Sequence, residues 1–221
     1  MFPCIKDCLD TPGCADWKLI LADHEIKVAN YKIASYINNK FRGENIIVVC
    51  ILKGAVYFHV DLTRMLTVPH SQYFIEASSY HNAQTQSEQV ELLSKIVPSK
   101  FVGKKVILID ELYDNGTTLN NIKVKISELA NVKLDDIFTC TIFKKDKKTN
   151  QPDPDLFGIL VPNVWLVGYG LDDRQEKRNW GHLFAVPKTA EIEETMDDNL
   201  FTDPEYYDKI RKQIGIYLSK M

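Results

Sequence analysis

A handful of short, mostly apolar runs constrains this chain more than any other feature. Ile46 to Leu52 (IIVVCIL), Tyr73 to Ala77, Val106 to Ile109 (VILI), Ile137 to Phe143 (IFTCTIF) and Val164 to Val167 are each too short for a helix, and most are rich in β-branched residues. Runs that are apolar on both faces read as strands buried on both faces, the habit of a parallel sheet covered by helices. The segments between them carry helical spacing. From Asp23 to Phe41 the apolar positions are Ile26, Ile33, Ile37 and Phe41, with Asp23 as the N-cap. Ala55 to Leu66 and Thr117 to Ala130 also look helical. This alternation predicts an α/β fold with right-handed crossovers, a mainly parallel twisted sheet flanked by helices.

The length of 221 residues suits one large domain with a well-buried core, or two small ones, and the single domain is the reading taken. We divide it into an N-terminal extension (1–22), a core (23–187) and a C-terminal extension (188–221). The last ends in an amphipathic helix: Asp203 is its N-cap, Pro204 its first residue, and Tyr206, Ile210, Ile214 and Leu218 lie four apart. A net charge of −3 argues against a nucleic-acid-binding or membrane-surface protein. No apolar run approaches the roughly 20 residues that span a bilayer, and MFPCIKDCLD has no signal-peptide pattern.

Of five cysteines, Cys50 and Cys140 sit in apolar runs and read as buried, reduced thiols. Cys4, Cys8 and Cys14 have no fourth ligand at zinc spacing, so they read as part of a loosely packed, reduced extension in an intracellular protein. The expected location is the cytoplasm. Ser219-Lys220-Met221 differs from a peroxisomal address only in its last residue, so a peroxisome- or glycosome-type organelle is the alternative.

The unusual polar residues fall after the strands, where open α/β sheets bind ligands. Lys53-Gly54 follows the first run, Asp110-Glu111 and Asp114 the third, Lys144-Lys145 the fourth, and Asp172, Asp173 and Arg174 the fifth. In DELYDNGTT, Asn115-Gly116 makes a tight turn and Thr117-Thr118 opens a helix, whose N–H groups and dipole cradle an anion such as phosphate. Asp110 and Glu111 suit ribose hydroxyls or a magnesium ion. The spacing is neither G-x-x-x-x-G-K-[ST] nor G-x-G-x-x-G. From Ser78 to Ser99 the chain turns polar, and such a long polar stretch in a compact domain reads as functional or mobile.

VILIDELYDNGTT resembles the phosphoribosyl-pyrophosphate (PRPP) signature of type I phosphoribosyltransferases. Three further stretches, ILKG (Ile51 to Gly54), SSY (Ser78 to Tyr80) and VWLVGYGLD (Val164 to Asp172) with Arg178 beyond it, are similar to the hypoxanthine-guanine(-xanthine), or 6-oxopurine, branch. The resemblance covers roughly residues 46 to 187. It implies the type I phosphoribosyltransferase fold, with a small hood subdomain and a mobile lid loop over Tyr80 to Ser94. It implies a reaction too: PRPP and hypoxanthine or guanine, with xanthine as a further candidate, give IMP or GMP and pyrophosphate with Mg²⁺.

By the same resemblance, Asp110 and Glu111 hold the ribose hydroxyls and Mg²⁺, and Asp172 a second Mg²⁺. Asn115, Gly116, Thr117 and Thr118 hold the 5′-phosphate. Lys53, Gly54, Ser79, Tyr80 and Arg178 meet PRPP or its pyrophosphate, and the peptide bond before Lys53 is expected to be cis. Asp114 faces purine N7 as general base, its pKa raised by burial and neighbouring acids. Lys144 bonds the purine O6, with Lys145 the alternative if the strand runs one residue longer. Trp165 stacks on the base, with Tyr113 on its opposite face or at its edge, and Leu166 and Asp172 complete the purine site. The plainer alternatives are core packing for Trp165 and a Tyr113 that only packs beneath the loop. Asp-Glu stands where the family usually has Glu-Asp, Asn115 where Thr or Ser is common, Tyr113 where an aliphatic residue is usual, and Asn179 where an acid is common. The family's habit predicts a homodimer or homotetramer.

Two competing readings are a non-catalytic regulator on the same fold and a transferase for adenine or a pyrimidine. The acidic charge and the retained Asp114 and lysine argue against the first. Lys144 argues against adenine, whose 6-amino group is itself a donor.

Overall fold

The computed structural model describes residues 3–81, 88–187, 197 and 199–220. The chain runs α1 (Ile5–Leu9), β1 (Lys18–Leu21), α2 (Asp23–Lys40), β2 (Ile46–Leu52), α3 (Val56–Met65), β3 (His70–His81), β4 (Glu88–Leu92), β5 (Lys105–Tyr113) and α4 (Thr117–Ala130). It continues with β6 (Ile137–Lys145), β7 (Leu156–Val161), β8 (Trp165–Val167), β9 (Leu183–Val186), α5 (Asn199–Thr202) and α6 (Pro204–Lys220).

The main sheet has the order β4-β3-β2-β5-β6-β7. Its five strands from β3 to β7 pair in parallel, and β4 adds an antiparallel edge. β2 reads IIVVCIL with its first six residues buried, as a strand covered on both faces must be. On one face Ile26, Ile33 and Ile37 of α2 and Phe58 and Leu62 of α3 close over Val48, Cys50, Ile107 and Ile109. On the other, Leu119, Ile122 and Ile126 of α4 cover Val49, Val106 and Leu108. Each such side chain contributes about 1.5–3 kcal/mol by leaving water. α2 starts one residue earlier than the sequence suggests. Ala22 is its N-cap, and the Glu25 carboxylate, not Asp23, accepts the Ala22 N–H at 2.8 Å.

Val164 to Val167 is not a strand of this sheet. The fifth parallel strand is β7, and Trp165–Val167 lies in a separate antiparallel sheet, β1-β9-β8, which forms the hood. β7 escapes a sequence reading because Pro152 and Pro154 precede it and Gly158 interrupts its apolar run. That glycine is a packing requirement, since a Cβ there would stand 2.7 Å from the Ile142 carbonyl oxygen.

Nor is the N-terminal extension loose. β1 is a hood strand, and Cys8, Cys14 and Trp17 are buried against Trp180 and Phe184. The Trp17 and Trp180 rings lie 5.7 Å apart. Burial pushes the Cys8 thiol up to about 11, so it stays protonated, and all five cysteines are free.

The Ser78–Ser99 stretch carries strand residues that the sequence reading did not give it. β3 continues to His81 and returns as β4, with Ser79 opposite Val90 and Tyr80 opposite Gln89. The centre of the expected lid, residues 82–87, lies outside the described residues. The C-terminal helix packs on the core as expected, with Asp203 Oδ1 accepting the N–H groups of Glu205 and Tyr206. The Arg211 guanidinium ties it to the Ile20 carbonyl and to Glu25, at 3.0 Å from the carboxylate.

Candidate functional site

Loops from β2, β5, β6 and the hood meet at the carboxyl end of the main sheet. Two glycines let them approach. A Cβ on Gly54 would stand 1.8 Å from the Glu111 carboxylate, and one on Gly170 would stand 2.0 Å from the Gly54 carbonyl oxygen. Gly170 also has φ +104°, a conformation that side-chain-bearing residues rarely adopt. The Leu52–Lys53 peptide bond, beside this junction, is cis. The hood loop is further tied down by Tyr169, whose hydroxyl donates to Asp61 at 2.7 Å and accepts from Asn30 at 2.7 Å.

Within β5, three residues before its end, Asp110 is 8% exposed and its Oδ1 accepts the Glu111 N–H at 3.0 Å. Burial first, then the Glu111 charge, push the Asp110 carboxyl well above the usual range. Among the described residues neither acid pairs with a cation. A carboxyl pair, one buried and one half-buried, without a protein cation is the donor set that suits a hard divalent ion or ribose hydroxyls, so these residues fit Mg²⁺. Asp172 differs: Arg178 pairs with it at 2.5 Å and also donates to the Gly170 carbonyl at 2.7 Å. A metal at Asp172 would have to share it with that guanidinium.

Gly116, at φ +82°, is the N-cap of α4, and Asn115 Oδ1 accepts the Thr117 N–H at 3.0 Å. The turn thus presents a helix N-terminus flanked by Thr117 and Thr118.

Asp114 lies between these groups and β6. Lys145 donates to its Oδ2 at 2.9 Å, and Lys147 pairs with its Oδ1. Burial raises the Asp114 pKa, but the two lysines outweigh it and hold the carboxyl below its usual range. The expected upward shift is therefore reversed. Lys147 was not singled out from the sequence, because in KKDKK it looks like one more surface charge.

Two further residues are placed differently. β6 runs to Lys145, so Lys145, not Lys144, faces Asp114; Lys144 pairs with Asp153 at 2.7 Å and lies over the Phe157 ring. Tyr113 is 1% exposed and packs on the α4 side of the sheet. Its hydroxyl meets the Pro152 and Gln151 carbonyls at 2.9 and 3.2 Å, so it packs beneath the loop rather than across a base from Trp165. Trp165 is the exposed residue of β8 and lines a groove with Trp17, Lys177 and Val186. The Leu166 side chain is buried in the main core, and its backbone lies on the hood's edge strand.

A parallel sheet with a small hood, an acid pair within one strand and a helix N-terminus just after it defines a class. The phosphoribosyl transferase domain model matches residues 16–174, and the chain belongs to that family. A hypoxanthine-guanine phosphoribosyltransferase from Streptococcus pneumoniae is 30% identical over 76% of this chain and 92% of its own length. The hypoxanthine phosphoribosyltransferase of Salmonella typhimurium is 28% identical over 80% and 97%. The crystal structure of a Bacillus anthracis hypoxanthine-guanine phosphoribosyltransferase with HEPES in the active site superposes with a TM-score of 0.69. It is 28% identical and covers 76% of this chain and 98% of that one. Within its family the chain is of the hypoxanthine(-guanine) type, a pentosyltransferase of purine salvage.

Proposed function

We propose that this enzyme transfers the 5-phosphoribosyl group of PRPP to N9 of hypoxanthine or guanine, with xanthine as a further candidate base, releasing IMP or GMP and pyrophosphate. The observation that carries the reading is the Lys145–Asp114 pair, 2.9 Å apart at the ends of β6 and β5. A 6-oxopurine carries an acceptor, O6, next to N7, and an ammonium beside a carboxylate matches that edge: Lys145 donates to O6 while Asp114 accepts the N7 proton. Adenine offers an amino donor at the same place, which Lys145 repels.

Asp110 and Glu111 hold the ribose hydroxyls and would hold Mg²⁺, which when bound supplies positive charge for the phosphate oxygens. Asn115 to Thr118 hold the 5′-phosphate through backbone N–H groups and hydroxyls. Lys53 and Arg178 place fixed positive charge at the leaving pyrophosphate as positive charge develops on the ribose. Gly54, Ser79 and Tyr80 line the same PRPP site, and Asp172 with Arg178 closes it from the hood. Trp165 and the Leu166 backbone form the hood side of the base site. A homodimer or homotetramer is the assembly we expect.

We further assign the protein to the cytoplasm, supported by five free thiols. Met221, the last residue of the alternative organellar tripeptide, lies outside the described residues. Removing residues 219–221 from a fluorescent fusion should leave its distribution unchanged. The activity itself is tested by mixing protein, PRPP and hypoxanthine with and without Mg²⁺. IMP and pyrophosphate should form in equal amounts and stop with EDTA; formation unaffected by EDTA contradicts the metal assignment.

A further inference from the structure

Asp114 has one more cation than recognition of a base requires. Lys145 leaves β6 with its side chain only 6% exposed and takes Oδ2, while Lys147 takes Oδ1 from the turn that follows, where its N–H donates to the Lys145 carbonyl at 2.9 Å. Each carboxylate oxygen therefore has its own ammonium. A base that draws the Lys145 ammonium toward its exocyclic oxygen would leave Asp114 short of a counter-charge just as its orientation matters. Lys147, at 27% exposed, is placed to stay.

The loop that carries Lys147 is fastened to the turn that carries Asp114. Tyr113 is the fastener. Its hydroxyl, fully buried on the α4 side, contacts Thr149, the Gln151 carbonyl and the Pro152 carbonyl at 3.3, 3.2 and 2.9 Å. Asn120 of α4 also donates to the Pro152 carbonyl, at 3.4 Å. Gly116 permits the approach, since a Cβ there would stand 2.4 Å from the Tyr113 hydroxyl and 2.8 Å from the Gln151 Cβ.

The other charged groups nearby are engaged elsewhere. Lys144 is bound to Asp153, the Asp146 charge acts on Tyr206 of α6, and Asp110 and Glu111 act on each other upstream on β5. Lys148 is exposed.

We propose that Lys147, fixed by the Tyr113-anchored loop, is a positioning residue that keeps the Asp114 carboxylate charged and aimed at the base while Lys145 engages the exocyclic oxygen. The proposal rests on the base-site reading above. It also accounts for Tyr113, whose hydroxyl positions a second lysine instead of touching the base.

The test uses the whole chain with ¹³C-carboxyl-labelled aspartate, the Asp114 signal being identified by its loss in Asp114→Asn. Lys147→Met should raise the Asp114 titration midpoint by about one pH unit, since a cation within contact distance lowers a carboxylate by about 1–3 units. It should raise the hypoxanthine KM at least about threefold and leave the PRPP KM within about twofold, because the lost charge serves the base site only. Lys147→Arg should restore both. Tyr113→Phe, which keeps the ring and removes the anchor, should shift the midpoint the same way by less. An unmoved midpoint with an unchanged hypoxanthine KM overturns the proposal. A rise in the PRPP KM with an unmoved midpoint overturns it too, and makes Lys147 a phosphate ligand. If the wild type transferred to no 6-oxopurine, the base-site reading would fall, while the ligand-free titration would still decide whether Lys147 holds Asp114.

Discussion

Adjacent lysines at the end of β6 offer a sharp test, because the structure assigns them different work. Lys145 has a side chain 6% exposed and an ammonium 2.9 Å from Asp114, whereas Lys144 pairs with an Asp153 whose side chain is 57% exposed. If Lys145 donates a charge-assisted hydrogen bond to the base, Lys145→Met, similar in length, forfeits about 1.5–3 kcal/mol of it. At about 1.4 kcal/mol per tenfold, that is a loss of roughly 10- to 150-fold in kcat/KM for hypoxanthine. Lys144→Met breaks a pair whose carboxylate partner is solvated, worth about 1 kcal/mol or less, and its kcat/KM should stay within about twofold of wild type. The variants also differ with pH. The folded pKa of Asp114 is held below its usual 3.8, so the pairing stabilises the fold above that value and fades as pH falls through the folded pKa. The stability advantage of wild type over Lys145→Met should be full at neutral pH and shrink below about pH 4. Steady-state kinetics and urea unfolding at several pH values measure both effects. A large kinetic loss in Lys144→Met with none in Lys145→Met would refute the strand register and the base-site assignment with it.

Three other substitutions probe the rest of the site. Asp114→Asn should cut kcat by about 10²–10⁴-fold while PRPP binding by calorimetry is largely kept, and full activity from pH 5 to 9 would remove the general-base role. Gly170→Ala drives a Cβ into the Gly54 carbonyl at a positive φ, so it should lower Tm by several degrees and raise the PRPP KM, whereas Gly215→Ala in α6 meets nothing within 4 Å and should do neither. Trp165→Ala should raise the purine KM several-fold with little change for PRPP, an aromatic stack being worth about 0.5–1.5 kcal/mol beyond its area; an unchanged purine KM would assign Trp165 to its groove with Trp17 alone.

Where burial decides the residue types, the sequence is easy to read. β2 is apolar throughout because helices cover both faces, and α4 runs from Thr117 to Ala130 as its spacing predicts. The short hood strands leave no such mark, since three or four residues are too few to show a period. The candidate site residues cluster at the carboxyl ends of the strands, with Asp110, Glu111, Lys144 and Lys145 inside β5 and β6 rather than after them, and their directions were not legible. Alternation carries Ile107 and Ile109, and Cys140 and Ile142, to the α2–α3 face; Leu112 and Phe143, paired across the strands, then join the same face. The period slips where β5 and β6 end, which sends Tyr113 beneath α4 and brings Lys145 rather than Lys144 to Asp114. No counting by twos from the strand interior can find that slip. Lys147 was hidden for a different reason: its role depends on a loop held by Tyr113, a contact between residues far apart in sequence.

Base selectivity is measured on the purified enzyme with PRPP and Mg²⁺, offered hypoxanthine, guanine, xanthine, adenine and uracil separately while monophosphate formation is followed. IMP and GMP should form at rates at least about a hundredfold above any product from adenine or uracil, because a buried donor facing the 6-amino group leaves polar groups unpaired. Adenine turned over as fast as hypoxanthine, or no transfer to any 6-oxopurine, would contradict the proposed function.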